Sequence, residues 1–492
     1  MSTHVRVRIA PSPTGTLHLG TARTALYNYL FARRHSGAFV LRLEDTDEVR
    51  SKEEHTEDII AGLKWLGIHW DEGPDIGGPF PPYRQTQKID HYENIANSLI
   101  AKGAAYLAYE TPEELEALRE TQKSNNQAHR YDNSGRHLSD HDLKRYEDEG
   151  RIPMIRFKIE EPRVVSWHDA IKGEISVDTA DLGGDMVIVK SNGTATYNFA
   201  VVVDDIDMKM THVIRGEDHI HNTAKQILLY EALGHEHPVF AHAALIQDTE
   251  HRKLSKRLHG ESVHIDNYRQ LGYMPEALVN YLAQMSWTPQ IENGEAKEIF
   301  TLEEASKLFD LDRVSKSAAV FDIHRLNWFN GHYIRSLPIE TVTERAVPFL
   351  QKHFNTGEYS QQELERLVDS VRSGLSVLNE IYDAARFYFG ETCAIPDALR
   401  TENLCTENAK KILSKVLAEL KDVPFSDGPA CKKFVDKVGK ELSIKGKELY
   451  WPLRVALSGS THGPDLGAMI AILGEKRVKA RLESALNLCS QV

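Results

Sequence analysis

The stretch "VRVRIAPSPTGTLHLGTARTALYNYLFARRH" at 5–35 limits the possible folds more than any other part of the chain. Residues 5–10 alternate as a strand does, a Pro/Gly-rich loop follows, and 18–35 carry the Ala, Leu and Tyr content of a helix. "AFVLRLED" at 38–45 predicts a second strand and 52–66 a second helix that stops near Gly67. A further helix over 84–102 ends at Gly103. Strand, helix, strand, helix is the opening of a doubly wound α/β sheet, and few other architectures begin this way.

The rhythm breaks over 106–195. A polar, helix-like stretch (112–150) is followed by strand-like pieces such as "MIRFKIEE" and "EISVDTADLGGDMVIVKSNGTATY", which predict an α+β domain inserted into the α/β unit. The unit then resumes, with "YNFAVVVDDID" and "THVIRGED" predicted as strands, 220–234 as a helix and "PVFAHAALIQ" as a strand. From about 262 the pattern is almost wholly helical, with a boundary expected near 325–335. A length of 492 residues leaves room for about three to five such units. The net charge of −13 argues against a generic nucleic-acid binder. The acidic excess lies before residue 330, however, and the lysine-rich run at 431–447 is a candidate basic face. No apolar run approaches the roughly 20 residues that span a bilayer, and the first residues lack an apolar signal-type segment. Cys393, Cys405, Cys431 and Cys489 are scattered without CxxC spacing, which predicts a reducing, cytoplasmic setting.

The loop "PSPTGTLHLG" at 11–20 falls where open α/β sheets bind ligands, after a strand and at the mouth of a helix. A helix N-terminus offers free N–H groups and partial positive charge, both suited to phosphate. Gly15 and Gly20 allow close backbone approach and His18 can donate to a phosphate oxygen; the other reading is that His18 only caps its own helix. The loop is neither a GxGxxG fingerprint nor a GxxxxGK[ST] P-loop. "KLSKR" at 253–257 follows a late strand of the same sheet and groups Lys253, Ser255, Lys256 and Arg257. Read alone it is a solvated basic turn. Paired with His18 it provides a second set of donors facing one triphosphate.

In this order, "HLGT" and "KLSKR" resemble the HIGH and KMSKS signatures of class I aminoacyl-tRNA synthetases. "RIAPSPTGTLHLGTARTALYNYLFAR", "LRLEDTD", "DLGGDMVI", "VIRGEDHIHNT" and "RLNWFN" narrow the resemblance to the bacterial glutamyl-tRNA synthetase family, over essentially the whole chain. The resemblance implies a Rossmann-type catalytic domain over 1–105 and 196–250. It further implies an inserted acceptor-binding domain over 106–195, a helical stem-contact region over 251–329, and an all-helical anticodon-binding region over 330–492. It implies ATP-dependent joining of glutamate to tRNA through a glutamyl-adenylate, with ATP as substrate, Mg2+, a cytoplasmic location and a monomer. His18, Lys253 and Lys256 match the catalytic positions. Pro11, Thr14, Gly15, Gly20, Ser255, Lys256 and Arg257 match the ATP positions. Arg8, Ser12, Glu44, Tyr197 and Arg215 match the glutamate positions, with the arginines expected to hold carboxylates in two-point contact.

The sequence departs from the family in two places. Some relatives hold a structural zinc through a Cys-x-Cys pair; here Ala108 and Glu110 stand there, so no zinc is expected. Gly374 falls where members restricted to glutamate tRNA carry an arginine that reads the third anticodon base, so the chain is expected to charge glutamine tRNA as well. Arg372 is the counterpart if the register shifts by two. The competing readings are a paralogue that glutamylates a modified tRNA base and a catalytically dead tRNA-binding relative. The helical tail disfavours the first, and the intact motif pair disfavours the second.

Overall fold

The computed structural model describes residues 4–47, 49–290 and 294–490, with the side chains of 256, 257 and 490 outside that description. The chain divides into two compact units: Met1–Tyr268 with Leu278–Asp322, and Arg269–Ala277 with Ile323–Val492.

In the first unit, β1 (Arg6–Ile9) pairs in parallel with β2 (Ala38–Leu41) across α1 (Leu19–Arg34). Every residue of β1 is buried, and strand alternation puts Arg6 and Arg8 on one face and Val7 and Ile9 on the other. Two buried arginines need anions: Arg6 pairs with Glu72 at 2.7 Å and Arg8 with Asp205 at 3.2 Å. After α2 (Glu53–Trp65) and α3 (Ile89–Ala101) the chain enters β3 (Ala105–Ala108), then α4 (Pro112–Ser124) and α5 (Asp140–Asp148). Four strands follow, β4 (Met154–Phe157), β5 (Val164–Asp169), β6 (Gly173–Asp178) and β7 (Met186–Val189). Strands β3, β4 and β7 form one antiparallel sheet. The β5–β6 hairpin instead joins β8 (His212–Gly216) and β9 (Val239–Ala243) in the order β6-β5-β9-β8. The contact between β5 and β9 is at Asp169 opposite Phe240. One apolar core runs through Tyr92, Phe157, Trp167, Phe199 and Phe240, so the 106–195 segment shares its interior with the main sheet.

"YNFAVVVDDID", expected as a strand, is the helix α6 (Tyr197–Asp207). Its valines suggest a strand by propensity, but residues Phe199 to Asp205 are all buried, and a helix enclosed on all sides shows no amphipathic period to give it away. Asp204 and Asp205 are accordingly helical residues rather than strand ends, and their neighbours are cations. Lys88 lies 2.7 Å from Asp204, and Arg42 lies 2.7 Å from Asp205. Helix α7 (Ile220–Leu233) then leads to β9.

Helices make up most of the second unit, at Ile323–Ser336, Ile339–Gln351, Gln361–Val371, Glu407–Ala418, Gly428–Leu442, Lys447–Ser458 and Leu466–Ser490, the last broken into two by a non-helical Gly474. Two of them approach backbone to backbone: a Cβ on Gly467 would lie 2.2 Å from the carbonyl oxygen of Gly428. Arg481, 1% exposed, donates to the carbonyls of Phe387, Phe389, Gly390, Glu391 and Leu457 and ties the last helix to the loop at 387–391.

Candidate active site

The loop at 11–18 is held by short, specific contacts. Glu44 donates its amide to the Pro11 carbonyl at 3.1 Å and Lys52 donates to Pro13 at 3.0 Å. Leu17 donates its amide to Asp58 of α2 at 2.7 Å and accepts from Ile265 at 2.9 Å. Thr16 Oγ1 meets His264 Nδ1 at 2.6 Å, and His18 bridges to His264 through the backbone. The segment just after "KLSKR" is thereby fastened against the first loop.

The two motifs enclose a cavity of about 570 Å³, within the range that holds small ligands. Arg8, Pro11, Ser12, Gly15, His18 and Gly20 line it from the first loop and strand. Glu44, Tyr197, Arg215, Lys253 and Ser255 line it from elsewhere in the chain. Thr14 is exposed outside the lining, where its amide donates to Ser12 O at 2.8 Å. The backbone of Lys256–His259 forms a helical turn, while the side chains of Lys256 and Arg257 lie outside the described residues.

His18 is the N-cap of α1, as the alternative reading expected: its Nδ1 accepts from the Thr21 amide at 3.3 Å, so the ring hydrogen is on Nε2, 3.0 Å from Thr21 Oγ1. Burial, then His264 and Lys253, pull its pKa down, and the ring is neutral at pH 7. Gly20 leaves room for this ring: a Cβ there would lie 3.2 Å from His18 Nδ1, a tight contact. Gly15 faces open space. Lys253 forms a 3.1 Å pair with Asp218. The loop that carries Lys253 is folded around Asp248, whose carboxylate takes the Glu250 and Arg252 amides, the Arg252 guanidinium and the His259 ring.

At the other end of the cavity the charges are buried. Arg8 presents Nε and Nη2 to Asp205 at 3.2 and 3.3 Å. Arg42 bridges Asp205 and Glu44, at 2.7 and 3.3 Å. Burial pushes Asp205 up, but Arg8 and Arg42 outweigh it and hold the carboxyl below its usual range. In Glu44 burial wins and the pKa rises. Arg215, 5% exposed, differs from both other arginines. Its Nε faces His242 at 3.3 Å, and its Nη2 faces Thr223 at 2.7 Å and Gln226 at 2.8 Å. Its Nη1 reaches only Tyr197 OH, at 3.4 Å. Among the described residues it has no carboxylate within ion-pair distance, and burial lowers its pKa. The Arg8 fork is thus engaged with Asp205, whereas Arg215 meets only neutral groups among the described residues and has at Nη1 a single long contact.

Sequence reasoning assigned no role to Thr223, Gln226, His242 or Asp169. Thr223 ends the stretch "GEDHIHNT" and Gln226 follows it by three, a signal that could have pointed to them; the other two carry none. No group of three His, Cys, Asp or Glu side chains that could hold a metal occurs among the described residues. Ala108 is buried, and Glu110 accepts from Tyr131 and lies 3.6 Å from Arg156. No helix among the described residues is long and apolar enough to cross a membrane.

In the second unit, Gly374 ends a short turn after the 361–371 helix and lines a cavity of about 1050 Å³; a Cβ added there meets nothing within 4 Å. Arg372, two residues away, is engaged with the Leu337 carbonyl and Asp369. The lysines at 431–447 are partly matched by acids, Lys432 by Asp465 and Lys437 by Glu419 and Glu441.

The profile of the family described as tRNA synthetases class I (E and Q), catalytic domain, matches residues 4–328, and that of the anticodon binding domain matches 341–486. The glutamate–tRNA ligase of Carboxydothermus hydrogenoformans is 45% identical over 487 residues, covering 98% of this chain and 100% of that one. That of Synechococcus sp. is 47% identical over 475 residues, covering 95% and 96%. A solved glutamate tRNA ligase from Elizabethkingia meningosepticum, in complex with its amino acid, is similar at 32% identity with a TM-score of 0.88 over 99% of each chain.

Proposed function

The chain belongs to the class I tRNA synthetases for glutamate and glutamine, and from that premise we propose how its residues divide the work of a glutamate–tRNA ligase. The enzyme joins glutamate to tRNA at the expense of ATP. The glutamate carboxylate attacks the α-phosphorus of ATP and pyrophosphate leaves; a hydroxyl of the terminal tRNA ribose then attacks the acyl carbon of the glutamyl-adenylate, takes the glutamyl group and releases AMP. The first step needs orientation and positive charge rather than a proton relay. His18 offers its Nε2 hydrogen to a phosphate oxygen in place of Thr21 Oγ1, and Lys253 and Lys256 neutralise the charge that builds on the phosphates. Pro11, Gly15, Gly20, Ser255 and Arg257 shape the nucleotide's bed, and Thr14, outside the lining, braces the loop through its amide. ATP enters as its magnesium complex, so the ion is part of the substrate.

Glutamate lies at the arginine end. Glu44 receives the α-ammonium group, Arg8 and Arg215 face the carboxylates, and Ser12 and Tyr197 complete the pocket. The observation that carries this reading is Arg215: a buried guanidinium, lining the same cavity as His18 and Lys253, without a carboxylate of its own among the described residues. A buried cation held only by neutral groups is costly until an anion arrives. Arg215→Ala therefore loses about 2–5 kcal/mol of glutamate binding, read as a raised glutamate KM in ATP–pyrophosphate exchange with tRNA present. An unchanged KM rejects the assignment. We assign 106–195 to the acceptor arm of tRNA, 251–329 to its stem and 330–492 to the anticodon. Gly374 leaves the third anticodon position unread, so glutamine tRNA is charged too. The enzyme works as a cytoplasmic monomer without a protein-bound zinc.

A further inference from the structure

Behind the pocket lies a buried chain that the chemistry above does not use. Asp169 and His242 are both fully buried, with His242 Nδ1 2.5 Å from Asp169 Oδ2. The other carboxylate oxygen, Oδ1, accepts three backbone amides: Ile171 at 3.0 Å, Lys172 at 2.9 Å and His242 at 3.1 Å. A carboxylate at this distance from Nδ1 requires the hydrogen to sit on Nδ1, so the neutral ring has a lone pair on Nε2. That lone pair faces Arg215 Nε at 3.3 Å and Thr223 Oγ1 at 3.0 Å. Of the five hydrogens of Arg215, Nε–H is then taken by His242 and the Nη2 pair by Thr223 and Gln226, which leaves the Nη1 pair.

We propose that Asp169 and His242 are positioning residues for glutamate recognition: Asp169 fixes the His242 tautomer, and His242 turns Arg215 so that Nη1 is the edge offered to the substrate carboxylate. The proposal rests on the reading of Arg215 as a glutamate ligand. Burial, and Arg215 itself, oppose a second proton on His242, which keeps Nε2 an acceptor. Asp169 ends β5, so the segment assigned to the tRNA acceptor arm supplies the anchor of the amino-acid pocket.

Asp169→Asn tests this with almost no change of shape. Three amide donors hold the asparagine oxygen at the Oδ1 position, so its NH2 faces His242 Nδ1 and forces the hydrogen onto Nε2. That hydrogen then opposes Arg215 Nε–H. Expected is a glutamate KM raised at least about tenfold, with the ATP KM within about twofold and the melting temperature close to the parent's. A glutamate KM within about twofold, or equal rises in both KM values, overturns the proposal. Arg215→Ala is run beside it. If that variant raises the glutamate KM and Asp169→Asn does not, the positioning proposal alone fails; if Arg215→Ala is silent, the substrate reading fails first. Should Asp169→Asn not fold, nitrogen NMR of the histidine-labelled parent, assigned with His242→Gln, decides. A protonated Nδ1 with bare Nε2 supports the proposal, and a protonated Nε2 overturns it.

Discussion

Arg215 and Arg481 are both buried guanidiniums with no acid beside them among the described residues, yet they are built for different ends. Arg481 spends its nitrogens on five main-chain carbonyls within the second unit. Arg215 leaves Nη1 with one long contact. The first arrangement is complete without a ligand and the second is not. Arg481→Met therefore strips several buried acceptors at once, each costing about 1–3 kcal/mol when unmet, and we expect a total of at least about 3 kcal/mol in urea unfolding of the tail. A variant as stable as the parent refutes that role. His18 stood out in the sequence because it lies at a helix mouth after a strand and a Pro/Gly loop, whereas Arg8, an arginine on a strand, stood out only through the family resemblance. Asp169 and His242 were not. They are 73 positions apart and meet only where β5 joins β9, so no short window of sequence contains their partnership.

At the scale of elements, the early strand–loop–helix was readable because it obeys short-range rules, alternation, punctuation by Pro and Gly, then helical composition. Helix α6 was misread because three successive valines favour a strand locally, while its actual environment, buried on every side, was invisible. Strand β8 shows how an element couples to acidity. His212 at its start packs 4.8 Å from the Phe31 ring, and burial, with His35 adding to it, lowers its pKa from 6.5 to about 4. The unfolded chain binds that proton near pH 6.5 and the folded one only near 4, so the unfolded state holds more protons between those values. Stability from this group is whole above pH 6.5 and falls as the pH drops towards 4. Thermal unfolding of His212→Gln followed across that window is expected to show a shallower decline than the parent; an identical slope removes the residue from the account.

For the molecule as a whole, the proposed glutamate pocket and the proposed anticodon reader at 374 fall in separate units, and on that proposal they can be altered separately. Because a Cβ at 374 meets nothing within 4 Å and the position needs no left-handed backbone, Gly374→Arg is expected to fold normally. Side-by-side charging assays with purified tRNAs are expected to show glutamine tRNA losing at least about tenfold, the size of a single lost base contact, with the glutamate KM unmoved. Equal charging of both tRNAs would dismiss position 374 as the reader. The acidic overall charge was legible from composition, but not that Lys432 and Lys437 are matched by Asp465 and Glu419 from outside their helix, since that depends on packing. The placement of the β5–β6 hairpin also limits any attempt to engineer a smaller enzyme. Excising 106–195 to obtain a minimal adenylating body would tear two strands from the principal sheet and remove the carboxylate on which the glutamate pocket leans. A miniaturised version has to carry that hairpin with it.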